Sequence, residues 1–326
     1  MTTRLAVLGA GAVGRSVAQL AGEYGYAVVA LADSSSAVVD PDGVDVAGAL
    51  AGKDDGAGLG DADPADVLAA DYDALVEATP TTLGDAEPGF SHVRTALERD
   101  RDVVLANKGP VAERFADVRA LEADSHGEVL FEATVAGAIP ALATIDDLGP
   151  ERVTAVRGVL NGTANFVLSR MAAEGLDYDH VLAEAQDLGV AEADPSFDVE
   201  GTDAALKCVI LANVLREAGC ETVAELRDRE LALADADVEG IRNVTGSALE
   251  LAINDGRTVR LIGEATREGV RVGPRLVPQN GTLAVSGTRN IVKIDADYSG
   301  DLAISGAGAG GEETASAVLS DVGRLG

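Results

Sequence analysis

The sequence has 326 residues, of which 47% are hydrophobic, with 55 acidic and 25 basic side chains and a formal net charge of −30. Such an acidic surface repels nucleic-acid phosphates and anionic lipid head groups, so we expect no nucleic-acid partner and no membrane partner. Only four lysines occur, at positions 53, 108, 207 and 293, which favours a halophilic protein whose carboxylates are screened by salt; an acidic mesophilic protein is the alternative.

The chain is long enough for two domains, each with its own hydrophobic core. Its only cysteines, Cys208 and Cys220, lie twelve residues apart on one predicted helix, too far apart for a simple disulfide. The three histidines are scattered, so we expect no zinc site. The N-terminus lacks a signal-peptide pattern and no apolar run reaches the length of a membrane helix, which predicts a cytoplasmic protein.

The first third of the chain has the pattern of a dinucleotide-binding fold. A strand at 4–8 precedes the glycine turn GAGAVG, a helix runs from about residue 12 to 24, and a second strand, AVVALA, ends at an aspartate. The glycines allow a tight turn and a close approach to pyrophosphate, which the helix N-terminal amides then face. A glycine-rich turn in another α/β protein is the alternative. The candidate cofactor contacts are Gly9, Gly11, Ala12, Val13, Gly14 and Asp33.

Further strands at 75–79, 102–107 and 128–134 alternate with helical patterns such as FSHVRTALERD. This order predicts a Rossmann-type, doubly wound parallel sheet for residues 1–134. Ligands bind such sheets at the carboxyl ends of the strands, where Thr79 and Lys108 are placed. The alternative for Lys108 is a solvated loop lysine.

Residues 135–300 have a different pattern. We predict strands at 152–160, 258–264, 270–277 and 288–294, and helices at 164–174, 178–188 and 203–218, which together indicate an α+β domain. The segment 301–326 contains a glycine turn and a final helix. It is predicted to return to the nucleotide-binding domain and to bring Gly308 near the cofactor; a flexible tail is the alternative.

A dense group of charges precedes an apolar helix at residues 189–207, GVAEADPSFDVEGTDAALK. Asp203 and Lys207 are four residues apart and therefore share one face of that helix. A lysine beside a carboxylate can exchange a proton with a substrate oxygen. The alternative is an ordinary exposed Asp–Lys pair.

These motifs carry a family resemblance. Residues 185–207 follow the pattern A-x3-G-V-A-x2-D-P-x2-D-V-x-G-x-D-x3-K, which resembles the homoserine dehydrogenase signature over all 23 positions. GAGAVG, EATPTT, ANKGP, EATVAGAIP, GVLNGTANF and GAGAGGEETASAVLSDV are similar to that family in the same order. The resemblance implies interconversion of L-homoserine and L-aspartate 4-semialdehyde with NADP or NAD, toward threonine, methionine and isoleucine. It also implies a homodimer whose second domain is catalytic and makes the contact.

The resemblance also assigns roles to residues. It implies that Lys207 is the catalytic acid/base, that Glu192 and Asp203 bind the substrate, and that Asp198 helps to hold its amino group. The implied cofactor contacts are Thr79, Lys108, Gly189 and Gly308. A sodium ion, or potassium in a halophile, would be held mainly by backbone carbonyls near Glu132, Val135, Gly137 and Ile139.

Several alternatives stay open. Asp33 could bind ribose hydroxyls and favour NAD, whereas Ser34, Ser35 and Lys53 could receive a 2′-phosphate. Because the sequence stops at residue 326, we expect no C-terminal regulatory domain and little inhibition by threonine. The rival functions are a dehydrogenase that acylates Cys208 and a nucleotide-binding sensor without catalysis.

Overall fold

The strands of the computed structural model, which describes residues 2–326, form two separate six-stranded sheets. In chain order the strands are β1 (Arg4–Leu8), β2 (Ala27–Ala32), β3 (Ala37–Val39), β4 (Ala74–Glu77), β5 (Asp102–Leu105), β6 (Val129–Leu130), β7 (Val153–Val159), β8 (Asp237–Val238), β9 (Arg257–Ala265), β10 (Val270–Pro278), β11 (Arg289–Ala296) and β12 (Gly300–Ala307). Each sheet is the centre of one compact unit.

The helices cover the sheets and are also numbered in chain order. They are α1 (Ala12–Leu20), α2 (Val46–Asp54), α3 (Pro64–Ala69), α4 (Gly89–Leu97), α5 (Gly109–Glu113), α6 (Phe115–Ala123), α7 (Ala133–Ala136), α8 (Ala141–Leu148), α9 (Gly162–Glu174), α10 (Tyr178–Asp187), α11 (Ser196–Val199), α12 (Thr202–Glu217), α13 (Val223–Arg227), α14 (Gly246–Asn254) and α15 (Gly311–Val322). Within residues 2–326, no helix has both the length and the apolar character needed to cross a membrane.

The first unit contains the sheet of order β3-β2-β1-β4-β5-β6. Its neighbouring strands run parallel, which confirms the predicted Rossmann-type doubly wound fold. The exception is β3, which pairs antiparallel with β2 and was not predicted because it has only three residues. The order of the strands reverses between β1 and β4, and such a switch point is where dinucleotides bind.

Several predicted elements of the first unit end earlier in the structure. The strands predicted at 75–79 and 102–107 end at Glu77 and Leu105. The strand predicted at 128–134 ends at Leu130, and the chain then forms α7. The residues of α7 are all buried, so their apolar character reflects burial and carries no strand periodicity. The predicted helix from 12 to 24 ends as a 3-10 turn, Ala21–Tyr24, which Gly25 terminates in a left-handed conformation at φ 84°.

The second unit, Ile139–Glu221 with Arg229–Gly308, contains the sheet of order β12-β11-β7-β9-β10-β8. All neighbours are antiparallel except β8 and β10. Helix α12 packs against β9 and β10 and is buried along nearly all of its length. This arrangement confirms an α+β fold for this part of the chain.

The chain re-enters the first unit at Thr222–Asp228 and again at Ala309–Gly326. In the first of these segments, Arg227 pairs with Asp117 at 2.7 Å, and the second segment places α15 beside α1. The return begins later than residue 301 because β12, which was not predicted, hydrogen-bonds to β11 in the second unit.

Candidate active site

The glycine turn of the first unit leaves room for an anion. A Cβ at Gly9 would lie 2.4 Å from the Ala78 oxygen, and a Cβ at Gly14 would lie 1.7 Å from the Gly9 oxygen, so neither position admits a larger residue. A Cβ at Gly11, in contrast, would meet no atom within 4 Å. Gly11 is exposed and caps α1 without a side chain, so the helix amides at Ala12 and beyond face this open space. The turn therefore fits a pyrophosphate group.

Asp33 follows β2 and is held by its neighbours. Its Oδ1 accepts hydrogen bonds of 2.9 Å from the Ser35 N–H, the Ser35 hydroxyl and the Ser36 N–H, and its Oδ2 pairs with Lys53. Burial alone would raise the pKa of Asp33, but the bonds from Lys53 and the serines outweigh it and hold the pKa well below its usual range. Asp33, which would favour NAD, and Lys53, which could receive the 2′-phosphate of NADP, are thus joined in one ion pair.

Side chains connect the ends of β4 and β5. The N–H of Thr79 donates to Glu77 Oε1 at 3.2 Å, and the Thr79 hydroxyl donates to the same oxygen. Asn107 donates from Nδ2 to the Thr79 hydroxyl oxygen at 3.2 Å, and the Lys108 N–H donates to the Thr81 hydroxyl at 3.3 Å. The predicted residues Thr79 and Lys108 therefore lie on two loops that these bonds hold together. Sequence reasoning did not identify Glu77.

In the second unit, Asp203 and Lys207 form a buried pair. Gly201, at φ 89°, starts α12, which places Asp203 in the first turn and Lys207 one turn later. The Lys207 Nζ donates to Asp203 Oδ2 at 2.7 Å and to the Leu160 carbonyl at 2.7 Å. Only 7% of the lysine side chain and 10% of the aspartate side chain are exposed, so the alternative of an exposed surface pair is wrong.

Asn161 links this pair to a second predicted residue. Its Nδ2 donates to Asp198 Oδ1 at 2.6 Å and to Asp203 Oδ2 at 3.0 Å, while its Oδ1 accepts from the Ala164 N–H and caps α9. The structure therefore brings Asp198, Asp203 and Lys207 together through one buried amide. Sequence reasoning missed Asn161, although it belongs to the motif GVLNGTANF.

Other predicted residues lie outside this group. Glu192 is exposed, and its backbone carbonyl accepts a hydrogen bond of 3.1 Å from Gln186 Nε2. Gly189 is a turn residue after α10 with φ 70°. Gly308 packs so closely on Asn290 that a Cβ would lie 1.8 Å from the Asn290 Nδ2. This contact is sufficient to require glycine at position 308, whether or not the residue meets the cofactor.

The predicted cation residues lie in a buried stretch of chain. Glu132 is 4% exposed, and its N–H donates to Asp321 Oδ2 at 2.8 Å. Burial raises the pKa of Asp321 to about 6, and the charge of Glu132 adds to the effect. Val135 and Ile139 are also buried, and Gly137 turns the backbone at φ 59°. The Arg324 guanidinium lies 3.0 Å from Asp321 Oδ1 and 3.7 Å from Glu132 Oε2, so it partly compensates both carboxyl groups. Residues 2–326 contain no cluster of three metal-binding side chains.

Both cysteines are free thiols. Burial raises the pKa of Cys208 to about 12, so this thiol is protonated at neutral pH. A protonated, buried thiol is a poor nucleophile, and the arrangement therefore gives no support to an acylating dehydrogenase.

Comparisons with known proteins match this chain to dehydrogenases. The family model described as Homoserine dehydrogenase matches residues 140–322, and the model described as Glutamate/Leucine/Phenylalanine/Valine dehydrogenase matches residues 1–83. The homoserine dehydrogenase of Methanocaldococcus jannaschii is 36% identical over 97% of this chain and 96% of its own length. The NAD(+)-dependent homoserine dehydrogenase of Pseudomonas canavaninivorans is 39% identical over 77% of this chain and 70% of its own length. A hyperthermophilic archaeal homoserine dehydrogenase solved with NADPH superposes with a TM-score of 0.83 at 25% identity, covering 99% of this chain and 97% of that one.

Proposed function

The chain belongs to the homoserine dehydrogenase family, and on that premise we propose that Lys207 is its catalytic acid/base and that Asp198 and Asp203 bind the substrate. The enzyme is an NAD(P)-dependent oxidoreductase that interconverts L-homoserine and L-aspartate 4-semialdehyde, a step of amino-acid biosynthesis. The observation that carries the proposal is the buried Lys207 ammonium, held at 2.7 Å by both Asp203 and the Leu160 carbonyl.

Lys207 can move the proton that accompanies the hydride. A lysine ammonium has three N–H donors, and two of them are used within the protein, which leaves the third for the substrate oxygen. The cofactor, when bound, would supply the hydride as NAD(P)H to the aldehyde carbon, or accept it as NAD(P)+ from homoserine. Lys207 gives its proton to the aldehyde oxygen in one direction and takes the hydroxyl proton in the other.

The two aspartates suit the amino group of homoserine. A substrate ammonium needs carboxylate acceptors, and Asn161 holds Asp198 and Asp203 on the two hydrogens of a single amide nitrogen. Asp203 also fixes Lys207, so substrate binding and proton transfer share this carboxylate. Glu192 is proposed as a further substrate contact on the family resemblance alone.

For the cofactor, we propose that Gly9, Gly11, Gly14 and the first amides of α1 at Ala12 and Val13 hold the pyrophosphate. Asp33 would hold the adenosine ribose, and the serine bonds and the Lys53 ion pair fix the orientation of its carboxylate. The family resemblance adds four proposed contacts, which are Thr79, Lys108, Gly189 and Gly308. The same resemblance supports sodium or potassium near Glu132, Val135, Gly137 and Ile139.

We further propose a cytoplasmic, salt-adapted homodimer in which the second unit makes the contact. The support is the family resemblance together with the edge strand β12, whose outward side chains are largely exposed. Light scattering in molar salt tests the dimer, and a monomer would contradict it.

The direct test of the activity is homoserine-dependent formation of NADH or NADPH, followed by absorbance. A nucleotide-binding sensor, the rival function, would bind the cofactor without reducing it. Cofactor binding without any turnover of homoserine, under low and high salt alike, would overturn the proposed function.

A further inference from the structure

Glu77 is a buried carboxylate that the chemistry described above does not use. It is the last residue of β4, and its side chain is 0% exposed. Removing a carboxylate from water is unfavourable unless hydrogen bonds or a charge compensate it. A fully buried glutamate at the carboxyl end of a Rossmann strand therefore requires an explanation.

The two oxygens of this carboxylate are used unequally. Oε1 accepts from both the N–H and the hydroxyl of Thr79, and it lies 3.4 Å from Nδ1 of His92 on α4. Oε2 has no hydrogen-bond partner among residues 2–326. A buried carboxylate is stabilised best when both of its oxygens accept hydrogen bonds. Here both Thr79 donors go to Oε1, so the bonds fix the position of Thr79 and leave Oε2 without compensation.

The surroundings hold this geometry in place. Gly89, the first residue of α4, lies so close that a Cβ there would be 3.2 Å from Glu77 Oε2 and 2.5 Å from Asn107 Nδ2. Asn107 is itself fixed, because its Oδ1 accepts from the Gly109 N–H at 2.9 Å. The carboxylate and the amide consequently have little freedom to move away from Thr79.

Thr79 is left with few groups for a ligand. Its N–H and its hydroxyl hydrogen both point to Glu77, and Asn107 donates to the hydroxyl oxygen. The backbone carbonyl and the methyl group remain. A carbonyl is a hydrogen-bond acceptor, and it therefore suits a ligand group that carries N–H donors.

The position of Thr79 in the sheet indicates which part of the cofactor it meets. Asp33 follows β2 on one side of the switch point, and Thr79 follows β4 on the other side. The two halves of a doubly wound sheet each take one mononucleotide, so a ribose acid after β2 leaves the nicotinamide half to β4 and β5.

We propose that Glu77 is a positioning residue that holds Thr79 so that its backbone carbonyl accepts a hydrogen bond from the carboxamide NH2 of the nicotinamide. This inference rests on the proposed function, because it takes Thr79 as a cofactor contact. Glu77 acts only through Thr79 and touches neither the substrate nor the cofactor.

The test compares whole cofactors with fragments that lack nicotinamide. NADPH is paired with 2′-phospho-ADP-ribose and NADH with ADP-ribose, and dissociation constants are measured by fluorescence and calorimetry. Glu77→Ala should weaken the whole cofactor about tenfold and leave the fragment within twofold of wild type. Glu77→Gln keeps an acceptor for both Thr79 donors, so it should restore most of the affinity.

The control and the second variant separate positioning from folding. Thr95→Val removes a hydroxyl on α4 that donates to the Ser91 carbonyl, and it should change the dissociation constant of neither the whole cofactor nor the fragment. Glu77→Leu, which fills the volume without an acceptor, replaces the alanine variant if that variant does not fold, and it should show the same selective loss.

Equal weakening of cofactor and fragment, or no weakening of either in a folded variant, would overturn the inference. These titrations contain no homoserine. A failure of the proposed function would instead appear in the wild-type protein, as an absence of homoserine turnover.

Discussion

Replacing Asn161 by serine should separate its two roles. Serine is a good N-cap, so Asn161→Ser retains the bond to the Ala164 N–H that starts α9. It removes the amide donor to Asp198 and Asp203, whose bonds are 2.6 and 3.0 Å long. The variant should therefore fold normally and bind homoserine poorly.

The magnitude follows from the kind of bond that is lost. A hydrogen bond to a charged group contributes about 1.5–3 kcal/mol. The variant loses two such bonds to the carboxylates that bind the ammonium. At about 1.4 kcal/mol per factor of ten, a weakening of ammonium binding by the energy of one of them lowers kcat/KM for homoserine roughly 10- to 100-fold. Most of the change should appear in KM, because Lys207 keeps its bonds to Asp203 and Leu160.

Steady-state kinetics with a matched ligand tests the reasoning. The ligand 4-hydroxybutanoate is homoserine without its amino group, and its inhibition constant should be nearly unchanged in Asn161→Ser. Asp177→Ser, at the N-cap of α10 in the same unit, is the control and should leave the kinetics unchanged. A folded Asn161→Ser enzyme with kcat/KM within threefold of wild type, or with equal losses for both ligands, would refute the ammonium-binding role.

Three further outcomes are expected. Because the pKa of Cys208 is about 12, a maleimide at pH 8 should label the half-buried Cys220 and leave Cys208 unmodified, as mass spectrometry would show. Activity should be retained after this labelling, and activity lost on labelling of Cys208 would favour an acylating mechanism. With a net charge of −30, the free energy of unfolding should rise as KCl increases toward 1 M, where the Debye length is roughly 3 Å, and urea titrations that show full stability in dilute buffer would contradict salt adaptation. The Lys53 ion pair helps to lower the pKa of Asp33, so the stability that it contributes is present above the unfolded-state pKa of about 3.9 and is lost as pH falls through the folded-state pKa. Urea titrations of wild type and Lys53→Met should therefore differ by about 1 kcal/mol or less at pH 7, and this difference should shrink below pH 4. A difference that grows below pH 4 would contradict the assignment.

The sequence predicted the parts of the fold that have a strong local signal. Strands such as β1 and β2 are short apolar runs bounded by glycine or aspartate, and the structure confirms both. Strand β12 was missed because most of its side chains are exposed and its sequence lacks the alternation of a half-buried strand. Residues 133 and 134, which begin α7, were assigned to the strand predicted at 128–134 because burial on all sides removes the periodicity that separates a helix from a strand.

The same distinction applies to the site. Asp203 and Lys207 are one helical turn apart, so their pairing could be read from the spacing. Asn161 and Asp198 are 37 residues apart, and their contact depends on how α9 and α11 pack in the second unit. Glu77 could be placed at the end of a strand, but its burial and its bonds to Thr79 require the packing of α4 above it. Contacts between distant segments come from tertiary packing, which local patterns do not contain.

The turnover of Lys207→Ala tests the central proposal most directly. Loss of a positioned acid/base typically lowers the rate roughly 10²- to 10⁴-fold, whereas cofactor affinity should stay at the wild-type value. Lys207→Arg should not restore turnover, because arginine stays protonated and is a poor proton donor near neutral pH. Lys293→Ala removes another of the four lysines, one that pairs with Asp295 and Asp301, and it is the control that should keep normal turnover. We predict a folded Lys207→Ala protein that binds NAD(P)+ and hardly oxidises homoserine. A folded variant with kcat within a few fold of wild type would contradict the assignment of Lys207 as the acid/base.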